Sequence, residues 1–151
     1  GKQRKMDKVN IYLETDSTAQ MKKRRRYSYV LETIFYGEIR TAEGFGDMEG
    51  TYHKVILCAL AEALKRLRKP CILQIYTRDA YAVSRIAELE DMEKQDFRDV
   101  KGCEIKNAAE WKEIHNLLKE HKAKALCGKH SYSQWLLEEM ERRNDKQEEN
   151  I

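Results

Sequence analysis

The sequence lacks several features that would place it in a common class at once. No stretch approaches the roughly 18 consecutive apolar residues of a membrane-spanning helix, and the chain does not begin with the charged region and apolar core of a secretory signal. Its four cysteines form no Cys-x-x-Cys pair, and no histidine lies at zinc-finger spacing from them. These absences predict a cytoplasmic protein whose cysteines are buried free thiols.

The composition indicates one globular domain with a heavily charged surface. The chain has 151 residues, of which 41% are hydrophobic and 36% are charged, and a chain of this length is expected to bury a single core. Residues 9–143 are predicted to form the domain, with a flexible segment at 1–8 and a polar tail at 144–151. Because Met6 would make a natural initiator, the residues before it are interpreted as an added remnant.

Positive charge is concentrated near the N-terminus, although the formal net charge is only +3. The densest run lies between two predicted strands and consists of Lys22, Lys23, Arg24, Arg25 and Arg26. Clustered cations of this kind bind a phosphate backbone by releasing counterions. The run is therefore predicted to supply most of any affinity for nucleic acid, and the alternative is a solvated hairpin loop.

Apolar spacing along the chain predicts a mixed α/β domain. Residues 9–13 and 71–76 have the near-continuous apolar character of buried strands, and 51–68 has the spacing of an amphipathic helix. A helical crossover of that length permits the two strands to pair in parallel. The other predicted elements are strands at 27–34, 39–46 and 122–127, helices at 81–90, 107–121 and 132–143, and a loop at 91–106.

Four segments in the same order resemble parts of ribonuclease H. Residues 9–17 are similar to its first strand and acidic turn, 51–64 to its first helix, 75–82 to its fourth strand, and 106–121 to a helix that starts with Asn and has Trp four residues later. The resemblance implies a ribonuclease H-like α/β fold, with a five-stranded mixed sheet flanked by helices. The strand at 9–13 is then central, between the second strand and the strand at 71–76.

The resemblance also implies a chemistry, the hydrolysis of RNA in an RNA–DNA hybrid by two Mg²⁺ or Mn²⁺ ions that four carboxylates hold. The first acid falls on Glu14, or on Asp16 if one residue is inserted. The second falls on Ile56 and the third on Arg78. An aliphatic side chain binds no cation and a guanidinium repels one, so two of the four positions are degenerate.

The remaining acids are candidates for a rearranged site. Asp79 follows Arg78, although alternation along a strand turns neighbouring side chains to opposite faces. The final helix offers Glu138 or Glu139, and His130 takes the place of the mobile histidine that the family has before that helix. The candidate metal ligands are Glu14, Asp16 and Asp79.

Three functions remain open from the sequence. The degenerate positions favour a ribonuclease H-like domain with lost or much reduced nuclease activity, which binds an RNA–DNA hybrid or duplex or serves as an accessory module without a cofactor. The alternative is an active ribonuclease H that uses Mg²⁺ or Mn²⁺ and the rearranged acids. A third is a protein-interaction module, which would show no salt-dependent binding of nucleic acid.

Overall fold

A computed structural model describes residues 6–149, with side chains described as far as Asn144. This part of the chain folds into a sheet with helices on both faces. The strands are β1 (Asp7–Thr15), β2 (Lys23–Phe35), β3 (Glu38–Gly50), β4 (Cys71–Thr77) and β5 (Lys122–Cys127), and the helices are α1 (Tyr52–Leu64), α2 (Ala80–Ala87), α3 (Leu89–Lys94), α4 (Ala108–Leu118) and α5 (Ser133–Glu149). None of these helices is long and apolar enough to cross a membrane.

The strands form one mixed sheet in the order β3-β2-β1-β4-β5. β1 pairs antiparallel with β2 and parallel with β4, so that Ile11 lies between Leu31 and Ile75. β3 extends the antiparallel side and β5 the parallel side. The predicted five-stranded mixed sheet with the first strand at its centre is confirmed.

Alternation along β1 divides the core between the two faces of the sheet. Ile11 and Leu13 are buried in a large cluster with side chains of α1 and α4, including Trp111. Tyr12 is buried in a second, smaller cluster with Val30 and with Leu136 of α5. A side chain's parity on β1 therefore determines whether it faces α1 and α4 or α5.

Several elements differ in extent from the prediction. The helix predicted at 81–90 divides at Glu88, and the resulting α3 occupies the start of the loop predicted at 91–106. β1 begins at Asp7, within the segment predicted as flexible, and α5 continues to Glu149, within the segment predicted as a polar tail. Residues 1–5 and 150–151 of those two segments lie outside the described residues.

The cysteines differ from the prediction in their burial. All four are free thiols, but only Cys71 is fully buried, Cys58 is half-buried, and Cys103 and Cys127 are exposed. Cys103 lies in the long connection before α4 and Cys127 ends β5, which is an edge strand. Apolar neighbours in the sequence therefore do not ensure burial for a residue in a connection or on an edge strand.

The basic run at 22–26 is not a hairpin loop, because β2 begins at Lys23 and alternation turns Arg25 into the protein. Arg25 is 1% exposed. Its guanidinium donates to the carbonyl groups of Ser17 at 2.8 Å, Met21 at 2.6 Å and Gly50 at 3.2 Å. The residue therefore binds the β1–β2 connection to the end of β3, and the expectation that it contacts nucleic acid is wrong.

Replacement of Arg25 by Lys should destabilise the fold, because one amine cannot reach three carbonyl groups that a planar guanidinium spans. We expect a loss of about 2 kcal/mol in the free energy of unfolding, measured with urea. The matched control is Arg24→Lys, since Arg24 is exposed and pairs with Asp47 at 3.1 Å; it should change stability by less than about 0.5 kcal/mol. Equal losses in the two variants would show that the buried contacts of Arg25 are unimportant.

Candidate active site

The ends of several elements lie along one edge of the sheet, which is the edge formed by strand ends and not by the outer strands β3 and β5. β1, β4 and β5 are parallel, so their carboxyl ends lie at the same edge. β3 also finishes there, because Gly50 is opposite Lys23 at the start of β2, which runs antiparallel to β1. α1, α2 and α5 follow β3, β4 and β5 respectively, so their first turns begin near this edge. Polar side chains at these positions can meet although they are distant in sequence.

Glu14, near the end of β1, forms an ion pair with Arg78, which directly follows β4. Arg78 Nε donates to Glu14 Oε1 at 2.8 Å, and the two side chains are 25% and 1% exposed respectively. The second carboxylate oxygen, Oε2, is buried without a hydrogen-bond partner. Burial raises the pKa of Glu14, although the adjacent Arg78 opposes the rise. The pair occupies the two strand ends where the resemblance implies metal-binding acids.

Asp79 faces the other side of the sheet, as alternation along β4 predicts. Its Oδ1 accepts a hydrogen bond from the Ala82 amide at 3.3 Å and caps α2, and its Oδ2 lies 2.8 Å from Nδ1 of His53 in α1. The His53 ring also lies 4.4 Å from the ring of Tyr81, measured between centroids. Both carboxylate oxygens are therefore engaged by the protein, and Asp79 does not join Glu14.

The connection between β5 and α5 fixes His130 against the end of β1. His130 Nε2 lies 3.0 Å from the Leu13 carbonyl, and Nδ1 accepts from the Tyr132 amide at 3.2 Å. A neutral ring with its proton on Nε2 satisfies both contacts. Burial lowers the pKa of His130, and the charge of Arg78 lowers it further. The predicted substitute for a mobile histidine is an anchored, neutral ring.

The other predicted acids contact side chains other than Glu14 and Asp79. Asp16 is exposed and accepts from the Asn144 side chain at 3.5 Å. Glu138 is exposed and accepts from Gln134 at 3.1 Å, and Glu139 pairs with Arg142. Within the described side chains, no group of three or more His, Cys, Asp or Glu is placed to hold a metal ion. The set Glu14, Asp16 and Asp79 is therefore not gathered as predicted.

The structure brings other residues of α1 and α5 closer to the strand ends than Ile56 and Glu138, the positions that the resemblance indicates. Ile56 is buried in the core, whereas His53, three residues earlier in the first turn of α1, reaches the edge of the sheet. On α5, Ser133 is close enough to Glu14 to oppose the rise in its pKa; Glu138 lies about 7.5 Å further along the axis at 1.5 Å per residue. Thr51 caps α1, since its side chain accepts a hydrogen bond from the Lys54 amide, and it marks the first turn of that helix.

The basic run contributes fewer solvent-facing cations than predicted. Lys22 and Lys23 are exposed, and their position beside the end of β3 places them at the same edge as Arg78. Arg24 pairs with Asp47, and Arg26 donates to the Asn144 side chain. The two lysines are therefore the members of the run best placed to contact a polyanion.

Comparison with known proteins relates this fold to a family. No protein-family model matches the chain. It is similar to the ribonuclease H of Clostridium botulinum, with 26% identity over 121 residues that cover 79% of this chain and 80% of the relative. It is also similar to the ribonuclease H of Campylobacter jejuni, with 36% identity over 101 residues that cover 66% of this chain and 63% of the relative.

Two solved structures share the architecture at lower identity. LC9-RNase H1, described as a type 1 RNase H with the type 2 active-site motif, matches with a TM-score of 0.66 and 14% identity over 86% of this chain and 67% of that one. The foamy viral protease-reverse transcriptase in complex with RNA/DNA hybrid matches with a TM-score of 0.60 and 16% identity over 83% of this chain and 19% of that one. The two structures show that the chain has the ribonuclease H-like fold, and the sequence relatives support a relation to the ribonuclease H-like family.

Replacement of Arg78 by Ala should destabilise the fold in a pH-dependent way, because it leaves the Glu14 carboxylate buried without its cation. At about pH 8 we expect a loss of about 3 kcal/mol in the free energy of unfolding. An acid whose pKa is raised by folding binds its proton more tightly in the folded state. The loss should therefore be smaller at about pH 5 and should grow as the pH rises through the folded-state pKa.

The control for this prediction is Glu14→Gln combined with Arg78→Ala, which removes both charges. It should recover much of the stability lost at high pH and should be insensitive to pH over the same range, relative to the unmodified chain. A loss in Arg78→Ala that is equal at both pH values would show that the pair has no electrostatic role in stability.

Proposed function

We propose that this chain binds an RNA–DNA hybrid or a related duplex without cleaving it efficiently. The observation that carries the proposal is the Glu14–Arg78 ion pair, with its 2.8 Å contact, at the ends of adjacent strands. Two-metal hydrolysis requires clustered acids that offset the charge of two cations. Here the guanidinium of Arg78 stands at the position of one of those acids and pairs with Glu14 at the position of another. The donor set therefore does not fit Mg²⁺ or Mn²⁺.

The arrangement of charge supports nucleic acid as the partner. Lys22, Lys23 and Lys129 are exposed at this edge, and Arg78 is partly exposed. The Glu14 and Asp79 carboxylates are each only 1% exposed. Asp16 and Glu49 are also exposed at this edge, but exposed cations beside buried carboxylates attract a polyanion. The likeness to a reverse transcriptase solved with an RNA/DNA hybrid is consistent with that partner. A cytoplasmic location remains part of the proposal.

The test measures binding and cleavage on the same labelled RNA–DNA hybrid. We expect binding that weakens steeply between about 50 and 200 mM salt, because it depends on counterion release. We expect little or no cleavage with Mg²⁺ or Mn²⁺ under conditions where the hybrid is fully bound. The variant Lys22→Ser with Lys23→Ser should show a shallower dependence on salt, by about one unit of slope for each phosphate that the variant no longer neutralises.

Two outcomes would contradict the proposal. Robust cleavage by the unmodified chain that is abolished by Asp79→Asn would indicate an active site with rearranged acids. Because Asp79 also caps α2, the variant must be shown to be folded. Circular dichroism of that variant would exclude simple unfolding as the cause. Failure to bind hybrid or duplex even at low salt would favour a protein-interaction module.

A further inference from the structure

The segment that follows β5 crosses the ends of β4 and β1. The Gly128 amide donates to the Thr77 carbonyl at 2.9 Å, and two residues later the His130 ring contacts the Leu13 carbonyl at 3.0 Å. Gly128 has a φ of +128°, a conformation that L side chains rarely adopt, so glycine permits this path. Lys129 lies between the two anchors, and its side chain is exposed. Its backbone is thus held over the ends of both strands.

Arg78 uses only part of its guanidinium in the ion pair with Glu14. Its Nε donates to the carboxylate, whereas neither Nη atom has a hydrogen-bond partner among the described residues. A guanidinium presents five N–H donors in one plane, and 25% of this side chain is exposed. Since Glu14 holds the plane in place, the outer edge of the guanidinium is left for an external acceptor.

Lys129 adds a second cation to the same place. It is close enough to Glu14 to oppose the rise in the pKa of that carboxylate. The carboxylate itself is buried, so the charges that face solvent here are those of Lys129 and the outer part of Arg78. Phosphate oxygens accept paired hydrogen bonds from a guanidinium, and a lysine amine supplies a further charge-assisted bond.

We infer that Arg78 and Lys129 form a site for a backbone phosphate of the bound nucleic acid, which contacts the protein directly at this edge. The inference rests on the proposed function, because it names the chemical group of the duplex that the strand ends bind. A phosphate contact fixes the position of a duplex without reading its sequence. The site therefore positions the backbone on the protein and takes hybrids of any sequence.

The test compares Lys129→Gln with Lys119→Gln in binding of short RNA–DNA hybrids across a range of salt concentrations. Each change removes one positive charge from an exposed lysine, but Lys119 follows α4 and lies near the start of β5, at the opposite edge of the sheet. Lys129→Gln should weaken binding several-fold for every hybrid sequence and lower the salt slope by about one unit. Lys119→Gln should leave both quantities unchanged.

Arg78 is tested without leaving a buried carboxylate unpaired. The double variant Glu14→Gln with Arg78→Gln is compared with Glu14→Gln alone, which retains the guanidinium. The double variant should bind hybrid several-fold more weakly than the single variant, again for every sequence. Thermal unfolding of both variants confirms that the comparison is made on folded protein.

The outcomes separate this inference from the proposed function. If the unmodified chain binds hybrid but Lys129→Gln and Lys119→Gln bind with equal affinity and equal salt slope, the phosphate site is wrong and the proposed function stands. A loss confined to one hybrid sequence also contradicts it, because phosphates do not differ between sequences. If the unmodified chain binds no hybrid even at low salt, the proposed function and this inference both fail.

Discussion

A carboxylate that is buried must be compensated, and in this protein Arg78 is the group that compensates Glu14. The cost of removing a charge from water is several kcal/mol, and one contact of 2.8 Å offsets only part of it, since the pKa of Glu14 stays raised. The contact joins the ends of β1 and β4 across the centre of the sheet. Under the proposed function it also occupies the place where a cation would need free carboxylate oxygens, so a single interaction would affect both stability and chemistry.

At the same strand ends, Asp79 and His130 are turned into the protein, whereas Lys129 and Asp16 face solvent. Asp79 caps α2 and holds His53, and His130 is held neutral against β1. Lys129 and the outer part of Arg78 remain in contact with solvent. The chain thus combines a ribonuclease H-like fold with this distribution of charge. Under the proposed function, the same strand ends bind a polyanion directly instead of holding metal ions.

Much of the fold was predictable because it depends on long-range patterns in the sequence. Buried apolar runs and one helical crossover determine the sheet order. Alternation continued past β4 predicts that Asp79 faces away from Glu14, as it does in the structure. Positions on helices were less predictable, because a shift of one turn separates Ile56 from His53 and nothing in periodicity marks which turn reaches an edge. Arg25 was missed because its burial depends on where β2 begins, which pairing with β3 decides.

The central claim is that the Glu14–Arg78 pair takes the place of a metal site, and paramagnetic broadening of amide NMR signals by Mn²⁺ tests it most directly. The unmodified chain should show no localised broadening at the ends of β1 and β4. A variant with Arg78→Asp and Ser133→Asp, which places acids beside Glu14, should show it there. Strong broadening at Glu14 and Arg78 in the unmodified chain would contradict the account.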